Sequence, residues 1–198
     1  NLFARWPRDS LAQIFSSGDN GDEGYFGNYY ELQPKDRWLG WLFYRLKSEA
    51  LKGNVNQAQV INGGTYSFNK NTTLHALGRR ILMDTGLYEL IFRPRLSKSM
   101  VSWVQHFRPD FIFSQGYNLT FSWLPLMLAR RFQLPIIYYP TDDWPCDLYR
   151  LDAGLPGRIA KFVQYYIKST SRQLVSSAEI CIAFNEMMKQ EYQERYRK

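Results

Sequence analysis

The feature that most constrains the fold is a regular alternation of helical and short apolar segments over the second half of the chain. Four segments have helical periodicity: 96–107, 119–132, 157–176 and 185–198. Three short apolar runs lie between them: "FIFSQG" (111–116), "PIIYYP" (135–140) and "EICIAF" (179–184). Strands that are apolar without a break are typical of a parallel sheet covered on both faces. The sequence therefore predicts a Rossmann-like, doubly wound α/β fold.

The first half of the chain is less regular. Two short strands are predicted, at "LAQIFSS" (11–17) and "NYYELQ" (28–33). Residues 36–54 have the spacing of a helix with Asp36 as its N-cap, and residues 74–92 predict another helix. The Gly- and Asn-rich stretch between these two helices predicts a long loop over 53–72.

Composition limits the class of protein. With 198 residues, 45% apolar and 22% charged, the chain is long enough for one globular domain with a sizeable core. The net charge of +7 permits an anionic partner such as nucleic acid, a phosphorylated substrate or an acidic membrane face. The charge alone does not favour one of these partners. The densest basic cluster consists of Arg79, Arg80, Arg93, Arg95 and Lys98. It predicts either a solvated helix face or a patch that binds an anionic membrane. A nucleic-acid partner is not expected, because no nucleic-acid-binding motif or basic stripe is present.

Cysteine and histidine usage argues against a metal or disulfide framework. Cys146 and Cys181 lack metal-ligand spacing and predict two free thiols of a reducing, cytoplasmic compartment. His75 and His106 have no acidic or Cys neighbours at ligand spacing, so we expect no metal site. The opening "NLFARWPRDS" is typical of sequence within a domain, so we expect a true N-terminus upstream of it and a single α/β domain over residues 1–198.

Ligands of open parallel sheets bind at the carboxyl ends of the strands. Three such ends can be named: "SQGYN" (114–118), "TDDW" (141–144) and "NEMM" (185–188). A right-handed crossover would make the first two strands neighbours. We therefore expect one cleft edge formed by Gln115, Gly116, Tyr117, Asn118, Asp142, Asp143 and Trp144. These hydroxyl-binding groups and aromatic platforms suit a polar, ring-shaped ligand.

Each of these residues also has an ordinary structural interpretation. Paired aspartates after a strand often form only a turn or a helix cap, and Asn118 can be a simple N-cap. Tyr117 and Trp144 can be packing residues. The sequence leaves these alternatives open.

The order of motifs resembles a known enzyme family. "HFRPDFIFSQGYNLTFSWLPLMLARRFQLPIIYYPTDDWP" (106–145) is similar to the N-terminal half of family 4 glycosyltransferases. "LVSSAEICIAFNEMMKQEYQERY" (174–196) resembles the segment that closes the N-terminal domain of that family, and "NLFARWPRDSLAQIF" resembles the start of one subgroup. The chain departs from the family at Asn185, where a serine is usual, and at Pro140–Thr141, where many members have a histidine.

The resemblance implies the N-terminal half of a GT-B enzyme, with the acceptor bound mainly by this half and with the first strand of the domain missing from residues 1–198. A nucleotide-sugar donor would serve as co-substrate without a metal, and the acceptor would be a polysaccharide or a lipid-linked carbohydrate. Asp142 or Asp143 would orient a hydroxyl group, and Gln115, Gly116, Tyr117, Asn118, Trp144 and Asn185 would bind the acceptor. The donor-binding C-terminal domain is absent, so the chain alone is expected to be inactive. We expect a cytoplasmic protein, with peripheral attachment at the inner membrane face as a further option.

A second interpretation belongs to a different class of protein. The same strand ends could form a non-catalytic α/β module that binds a sugar, nucleotide or phosphate ligand. A second Rossmann-like domain encoded downstream would favour the transferase, and a stop codon or an unrelated domain would favour the module.

Overall fold

The computed structural model describes residues 3–16, 26–40, 42, 85–140 and 157–196. Within these residues the chain is an α/β protein with two small parallel sheets. The strands are β1 (Ala12–Phe15), β2 (Asn28–Glu31), β3 (Ile112–Ser114), β4 (Ile136–Tyr138) and β5 (Ala178–Cys181). The helices are α1 (Leu87–Ile91), α2 (Lys98–Phe107), α3 (Leu119–Phe132), α4 (Gly157–Ser177) and α5 (Glu186–Tyr196).

Both sheets are parallel, and the continuous apolar runs predict this for the larger one. β1 pairs with β2, with Ala12 opposite Asn28. The larger sheet has the order β3-β4-β5, with Ile112 opposite Ile136 and Ile136 opposite Ala178. The α/β class is therefore correct, and the five predicted strands are all present within the described residues.

Cap residues flank the two helices on either side of β3. The N-cap of α2 is Ser97, whose hydroxyl accepts a hydrogen bond from the Met100 N–H at 3.2 Å. Its C-cap, Arg108, adopts the left-handed conformation at φ 53°. The C-cap of α3, Gln133, adopts the same conformation at φ 56°. Both helices agree with the predicted 96–107 and 119–132 to within two residues, and Pro125 lies inside α3.

One helical layer packs beneath both sheets. Ile14 of β1 and Ile112 of β3 contact the same apolar cluster on α2 and α3, which includes Met100, Leu124 and Leu128. Ile112 also contacts a second cluster that lies under β4. That second cluster joins the larger sheet to α3, α4 and α5: Leu126, Ile136, Tyr138, Leu174, Val175, Ala178 and Tyr192. The core is thus continuous from β1 to β5.

The prediction that Asp36 is a helix N-cap is wrong. Asp36 is instead the last residue of a 3-10 turn, Pro34–Asp36, in which its carboxylate accepts the Gln33 N–H at 2.7 Å. Asp36 is fully buried. The "QPKD" sequence has the spacing of a capping box with its acid at the third position, so the turn competes successfully with a helix start at Asp36.

The apolar spacing of residues 157–176 predicts one buried face: Ile159, Phe162, Val163, Tyr166, Ile167 and Leu174. Val163, Ile167 and Leu174 are buried as this predicts, and Tyr166 is half-buried. The prediction is wrong for Ile159 and Phe162 in the first turns of α4, which are 38% and 53% exposed.

The predicted buried strand at 179–184 becomes an exposed edge strand. β5 starts one residue earlier, at Ala178, and only Ala178 of its four residues is buried. Ile180 is 51% exposed and Ile182 is 39% exposed. β5 pairs with β4 alone among the described strands, which explains the exposure.

Several predicted elements lie outside the described residues. They comprise the loop over 53–72, the helix over 36–54 except for its first residues, and the helix over 74–92 before residue 85. None of the helices in the described ranges has the length and apolar character needed to cross a bilayer.

Candidate functional site

The larger sheet brings three strand ends to one edge. The Ser114 carbonyl accepts a hydrogen bond from the Tyr139 N–H at 2.9 Å, and the Tyr138 carbonyl accepts one from the Ile182 N–H at 2.8 Å. These are the last hydrogen bonds of the β3–β4 and β4–β5 pairs. Residues 115–118, 139–140 and 183–185 therefore leave the sheet on the same side, as expected for the carboxyl ends of parallel strands.

Gly116 forms the turn after β3, and only glycine fits there. Its φ of 62° is in the left-handed region that disfavours side chains. A Cβ atom on Gly116 would lie 2.9 Å from Cε2 of Tyr138 and 3.1 Å from Cδ2 of Leu174. The turn therefore packs its backbone directly against β4 and α4, which explains Gly116 by packing rather than by contact with a ligand.

Gln115 and Tyr117 present polar groups next to this turn. The Tyr117 hydroxyl donates a hydrogen bond to Oε1 of Gln115, and the Tyr117 side chain is 52% exposed. The Tyr117 ring also makes an edge contact with the ring of Phe121 on α3, at 6.4 Å between centroids. The two side chains thus form an exposed pair with an amide group and an aromatic face.

Asn118 and Asn185 both cap helices. Oδ1 of Asn118 accepts the Phe121 N–H at 2.9 Å at the start of α3. Oδ1 of Asn185 accepts the Met188 N–H at 2.8 Å at the start of α5. The ordinary interpretation of Asn118 as an N-cap is therefore correct, and in both residues the amide nitrogen is the group that faces away from the cap.

The predicted carboxylates fall outside the described part of the chain. Tyr139 and Pro140 are the last described residues after β4. Asp142, Asp143 and Trp144 follow and lie outside the described residues, as does Cys146. The structure therefore brings Gln115, Gly116, Tyr117 and Asn118 together after β3. Asn185 follows β5, which lies on the far side of β4 in the same sheet.

A cavity of about 1100 Å³ opens beside the turn. Gln115, Gly116, Tyr117 and Asn118 all contribute to its lining. Most of the remaining wall is apolar and comes from β1, β3 and the facing sides of α2 and α3. Pockets for small ligands commonly measure about 300–1,000 Å³ with a few polar groups on an apolar wall, so this cavity lies slightly above that range in volume and has a similar mixed lining.

Sequence reasoning missed the aromatic wall of this cavity. Phe3 contacts Phe113 at 5.0 Å between ring centroids, and Trp6 contacts Phe111 at 6.0 Å. The opening residues of the chain thus lie against β3, which is more than 100 positions away in sequence. The aromatic residues of "NLFARW" were a usable signal for ring contacts, but no local pattern indicates which strand they meet.

A buried polar cluster was missed as well. The Tyr30 hydroxyl lies 3.0 and 3.1 Å from the carboxylate oxygens of Asp36, and 3.1 Å from Oγ of Ser99. Burial, followed by the neighbouring Asp36 carboxylate, raises the pKa of Tyr30 above its ordinary value. The cluster connects β2 to α2, away from the strand ends, and its polar groups satisfy one another.

The predicted basic cluster is only partly described. Arg93, Arg95 and Lys98 are exposed, and Arg79 and Arg80 lie outside the described residues. The Arg93 guanidinium lies 5.7 Å from the centroid of the Trp38 ring. The Arg95 N–H donates to the Asp36 carbonyl at 2.8 Å, so the backbone of this segment is fixed while its cationic side chains face solvent.

Among the described residues, no group of three or more His, Cys, Asp or Glu side chains has the arrangement of a metal site. Comparison of the chain with protein-family models, with curated proteins and with solved structures finds no match.

Proposed function

We propose that the chain is the N-terminal, acceptor-side domain of a GT-B glycosyltransferase, with a Rossmann-like, doubly wound sheet. The enzyme would transfer a sugar from a nucleotide-sugar to a polysaccharide or a lipid-linked acceptor. The observation that carries this proposal is the shared edge of β3, β4 and β5 beside a large cavity, with Gln115 and Tyr117 at its mouth. Ligands of open parallel sheets bind at this edge.

The chemistry of the described edge suits a carbohydrate. The exposed Tyr117 ring offers a stacking face to a sugar ring, and its hydroxyl and the Gln115 amide offer hydrogen bonds to sugar hydroxyls. The amide nitrogens of Asn118 and Asn185 add donors at the same edge. In this proposal Asp142 or Asp143, two or three residues beyond Pro140, orients the reacting hydroxyl. Correct placement of reactants can contribute about 7–11 kcal/mol to lowering a barrier.

A binding experiment tests the acceptor side on the 198-residue chain itself. A panel of soluble oligosaccharides is measured by saturation-transfer NMR against the chain and two variants. Tyr117→Ala should lose most of the saturation transfer, because it removes the stacking face. Tyr165→Ala, which removes a tyrosine on α4 that is even more exposed, is the control and should bind as the unmodified chain does. Equal signals from both variants would contradict a sugar site at Tyr117.

Turnover tests the catalytic part of the proposal. Release of nucleoside diphosphate from nucleotide-sugars is measured for the isolated chain and for a longer polypeptide that includes a second Rossmann-like domain. The isolated chain should show no turnover. In the longer polypeptide, Asp142→Asn and Asp143→Asn should lower the rate without a change in thermal stability. Unchanged rates in both variants would remove the orienting role, and turnover by the isolated chain would contradict the assignment to half of an enzyme.

One observation favours the alternative, a non-catalytic module that binds a sugar, nucleotide or phosphate ligand. The described residues of the first two loops, 114–118 and 139–140, contain no carboxylate or imidazole group. The described part of these loops therefore supplies hydrogen-bond groups but no acid or base, and Asp142 and Asp143 follow outside it. Oligosaccharide binding that persists without turnover in the longer polypeptide would support this alternative.

The exposed Arg93, Arg95 and Lys98 support a further part of the proposal, attachment to an anionic membrane face. Each cation near such a surface contributes about 1 kcal/mol. This membrane attachment is measured by sedimentation of the protein with vesicles of phosphatidylcholine alone and with vesicles that also contain phosphatidylserine. Binding that requires phosphatidylserine and falls with salt is the expected result, and equal sedimentation with both vesicle types would contradict it.

A further inference from the structure

The long helix α4 carries positive charge and no negative charge. Its 21 residues contain four cationic side chains and no aspartate or glutamate. The four cations are all exposed: Arg158, Lys161, Lys168 and Arg172. Within the described ranges none of them forms an ion pair. The helix therefore presents four uncompensated positive charges to its surroundings.

These cations form one stripe along the helix, with Tyr165 in the middle. Side chains three or four positions apart lie on the same side of an α-helix, and positions 158, 161, 165, 168 and 172 follow this spacing. Tyr165 is 68% exposed. The stripe is thus continuous over about four turns and has an aromatic ring at its centre.

Apolar side chains border the stripe on one side. Ile159 and Phe162 are exposed and lie about one turn apart. The Phe162 ring contacts the Tyr166 ring at 4.8 Å between centroids, and the Tyr166 ring contacts the Tyr165 ring at 5.9 Å. Contiguous exposed apolar groups rimmed by polar ones commonly mark a surface that binds a protein or a membrane. We call this set the α4 surface: Arg158, Ile159, Lys161, Phe162, Tyr165, Tyr166, Lys168 and Arg172.

The opposite side of α4 is fixed in the core. Val163 and Ile167 are fully buried and share an apolar cluster with Leu119, the first residue of α3. Leu174 and Val175 belong to the cluster under β4. The outward side chains are therefore held on a rigid helix, and covering them requires no core residue to leave its place.

We propose that the α4 surface docks on an anionic lipid bilayer, with the helix parallel to the membrane plane. The cations meet the phosphate headgroups, and the rings of Phe162 and Tyr165 reach the boundary with the acyl chains. Aromatic side chains are enriched at this boundary, and tyrosine suits it because its ring is apolar and its hydroxyl is polar.

Charge complementarity favours a bilayer over other partners. A stripe of cations over about four turns matches a surface that is negative at every point, as a bilayer with acidic lipids is. A protein partner would need a matching row of carboxylates. A nucleic acid would match the cations, but Ile159 and Phe162 have no polar group to offer to its phosphates and sugars. Both side chains gain by leaving water for the acyl boundary.

The α4 surface is separate from the membrane patch of the proposed function, which consists of Arg93, Arg95 and Lys98. It does not depend on the assignment to a glycosyltransferase, because the argument uses only α4. It does lie near the candidate site: Val163 shares a cluster with Leu119, which directly follows the turn after β3. A bilayer at the α4 surface therefore lies close to the edge of the sheet at which the candidate site opens.

Hydroxyl-radical footprinting of the 198-residue chain locates the surface. Oxidation of single side chains is measured by mass spectrometry with vesicles of saturated phosphatidylcholine and with vesicles that also contain phosphatidylserine. With phosphatidylcholine alone, Phe162 and Tyr165 should oxidise rapidly, as exposed side chains do. Phosphatidylserine should slow both at least about threefold, because the rings then lie in the interface. Met187, which is exposed on α5, should oxidise equally fast with both vesicles.

The same measurement identifies other occupants of the surface. Slow oxidation of Phe162 and Tyr165 without phosphatidylserine would show that another part of the chain covers α4, and it would overturn the proposal. Protection by a single-stranded oligothymidylate but not by phosphatidylserine would also overturn it, in favour of a nucleic acid.

Sedimentation of matched charge variants gives a quantitative test. Lys161→Gln with Lys168→Gln removes the two cations that flank Tyr165, and it should weaken binding to phosphatidylserine vesicles about 30-fold. Arg130→Gln with Arg131→Gln removes two exposed cations at the end of α3 and is the matched control. It should weaken binding less than about threefold. Tyr165→Ala should weaken binding at unchanged charge, because it removes the ring.

Two results of the sedimentation would contradict the α4 surface. Equal losses in the two double variants would show an effect of net charge without a defined site. A loss in Arg93→Gln with Arg95→Gln, together with unchanged binding by Lys161→Gln with Lys168→Gln, would support the patch of the proposed function instead.

Discussion

Two polar regions of this molecule differ in what their side chains are free to do. Around the fully buried Asp36, the partly buried Tyr30, Gln33 and Ser99 bond to its carboxylate or to one another. At the turn after β3, Gln115 and Tyr117 bond to each other at the surface and line a cavity. Polar groups that bond around a buried carboxylate fix the fold, whereas polar groups that line a cavity can meet a ligand. The buried carboxylate at the centre, rather than the number of polar residues, separates the structural cluster from the candidate site.

Gly116→Ala should cause the largest loss of stability. The new Cβ would meet Tyr138 at 2.9 Å, in a left-handed backbone conformation that disfavours alanine. The two effects together should cost about 2–4 kcal/mol of unfolding free energy. Urea denaturation measures the change. Gly157→Ala is the matched control, since a Cβ at Gly157 has no atom within 4 Å, and it should leave stability nearly unchanged. Similar losses in both variants would contradict the packing role of the turn.

Asp36→Ala should come next. It removes the acceptor of the Gln33 N–H and the Tyr30 hydroxyl in a fully buried position. Unsatisfied buried donors should lower the unfolding free energy by about 1–3 kcal/mol. Asp110→Ala, at an exposed position, is the control and should change it by less than about 0.5 kcal/mol. If the two variants unfold at the same urea concentration, Asp36 has no structural role.

Asn118→Ala and Asn185→Ala should have smaller effects. Each variant removes the side-chain oxygen that caps a helix, which typically costs about 1 kcal/mol. The loss should be larger for Asn118, because α3 is buried in the core whereas α5 buries only Tyr192. Asn118→Asp keeps the cap and should retain stability, measured by thermal unfolding. A drop in oligosaccharide binding by Asn118→Asp at unchanged stability would separate a ligand contact from the cap.

The pH dependence of Tyr30 should be the smallest effect. Because the folded pKa of Tyr30 lies above the unfolded value of 10.0, the folded state holds the proton more tightly. Its stabilisation is complete below pH 10.0 and is lost as pH rises through the folded pKa. Unfolding free energy should therefore fall over this alkaline range. The unfolding free energy of the Tyr30→Phe variant should fall less steeply with pH. Identical slopes in the two proteins would show that Tyr30 does not contribute to the pH dependence.

The larger parallel sheet and the limits of α2 and α3 could be predicted from the sequence because their signals are local. Continuous apolar runs define the strands of that sheet, and Asn118 marks the start of α3 at the expected residue. The position of the candidate site after β3 followed from the rule that ligands of open parallel sheets bind at the carboxyl ends of the strands. Gly116 was expected at this edge, but the requirement for its missing side chain comes from Tyr138 and Leu174, which no local pattern reveals.

Long-range contacts account for what the sequence did not predict. The Asp36 cluster depends on Ser99, 63 positions later in the chain, and a helix N-cap was the better local interpretation. Ile159 and Phe162 fit the apolar stripe of α4, but the extent of the surface that covers them is a property of the assembled core. The aromatic wall of the cavity depends on the path of residues 3–10 across β3.

The exposed edge of β5 has a consequence for the behaviour of the protein in concentrated solution. Its backbone groups on that side can pair with another chain, and exposed apolar residues lie on it and just after it: Ile180, Ile182, Phe184 and Met187. Edges of this kind promote aggregation unless something covers them. We expect the chain to self-associate as its concentration rises, and a lysine in place of Ile182 to improve its solubility.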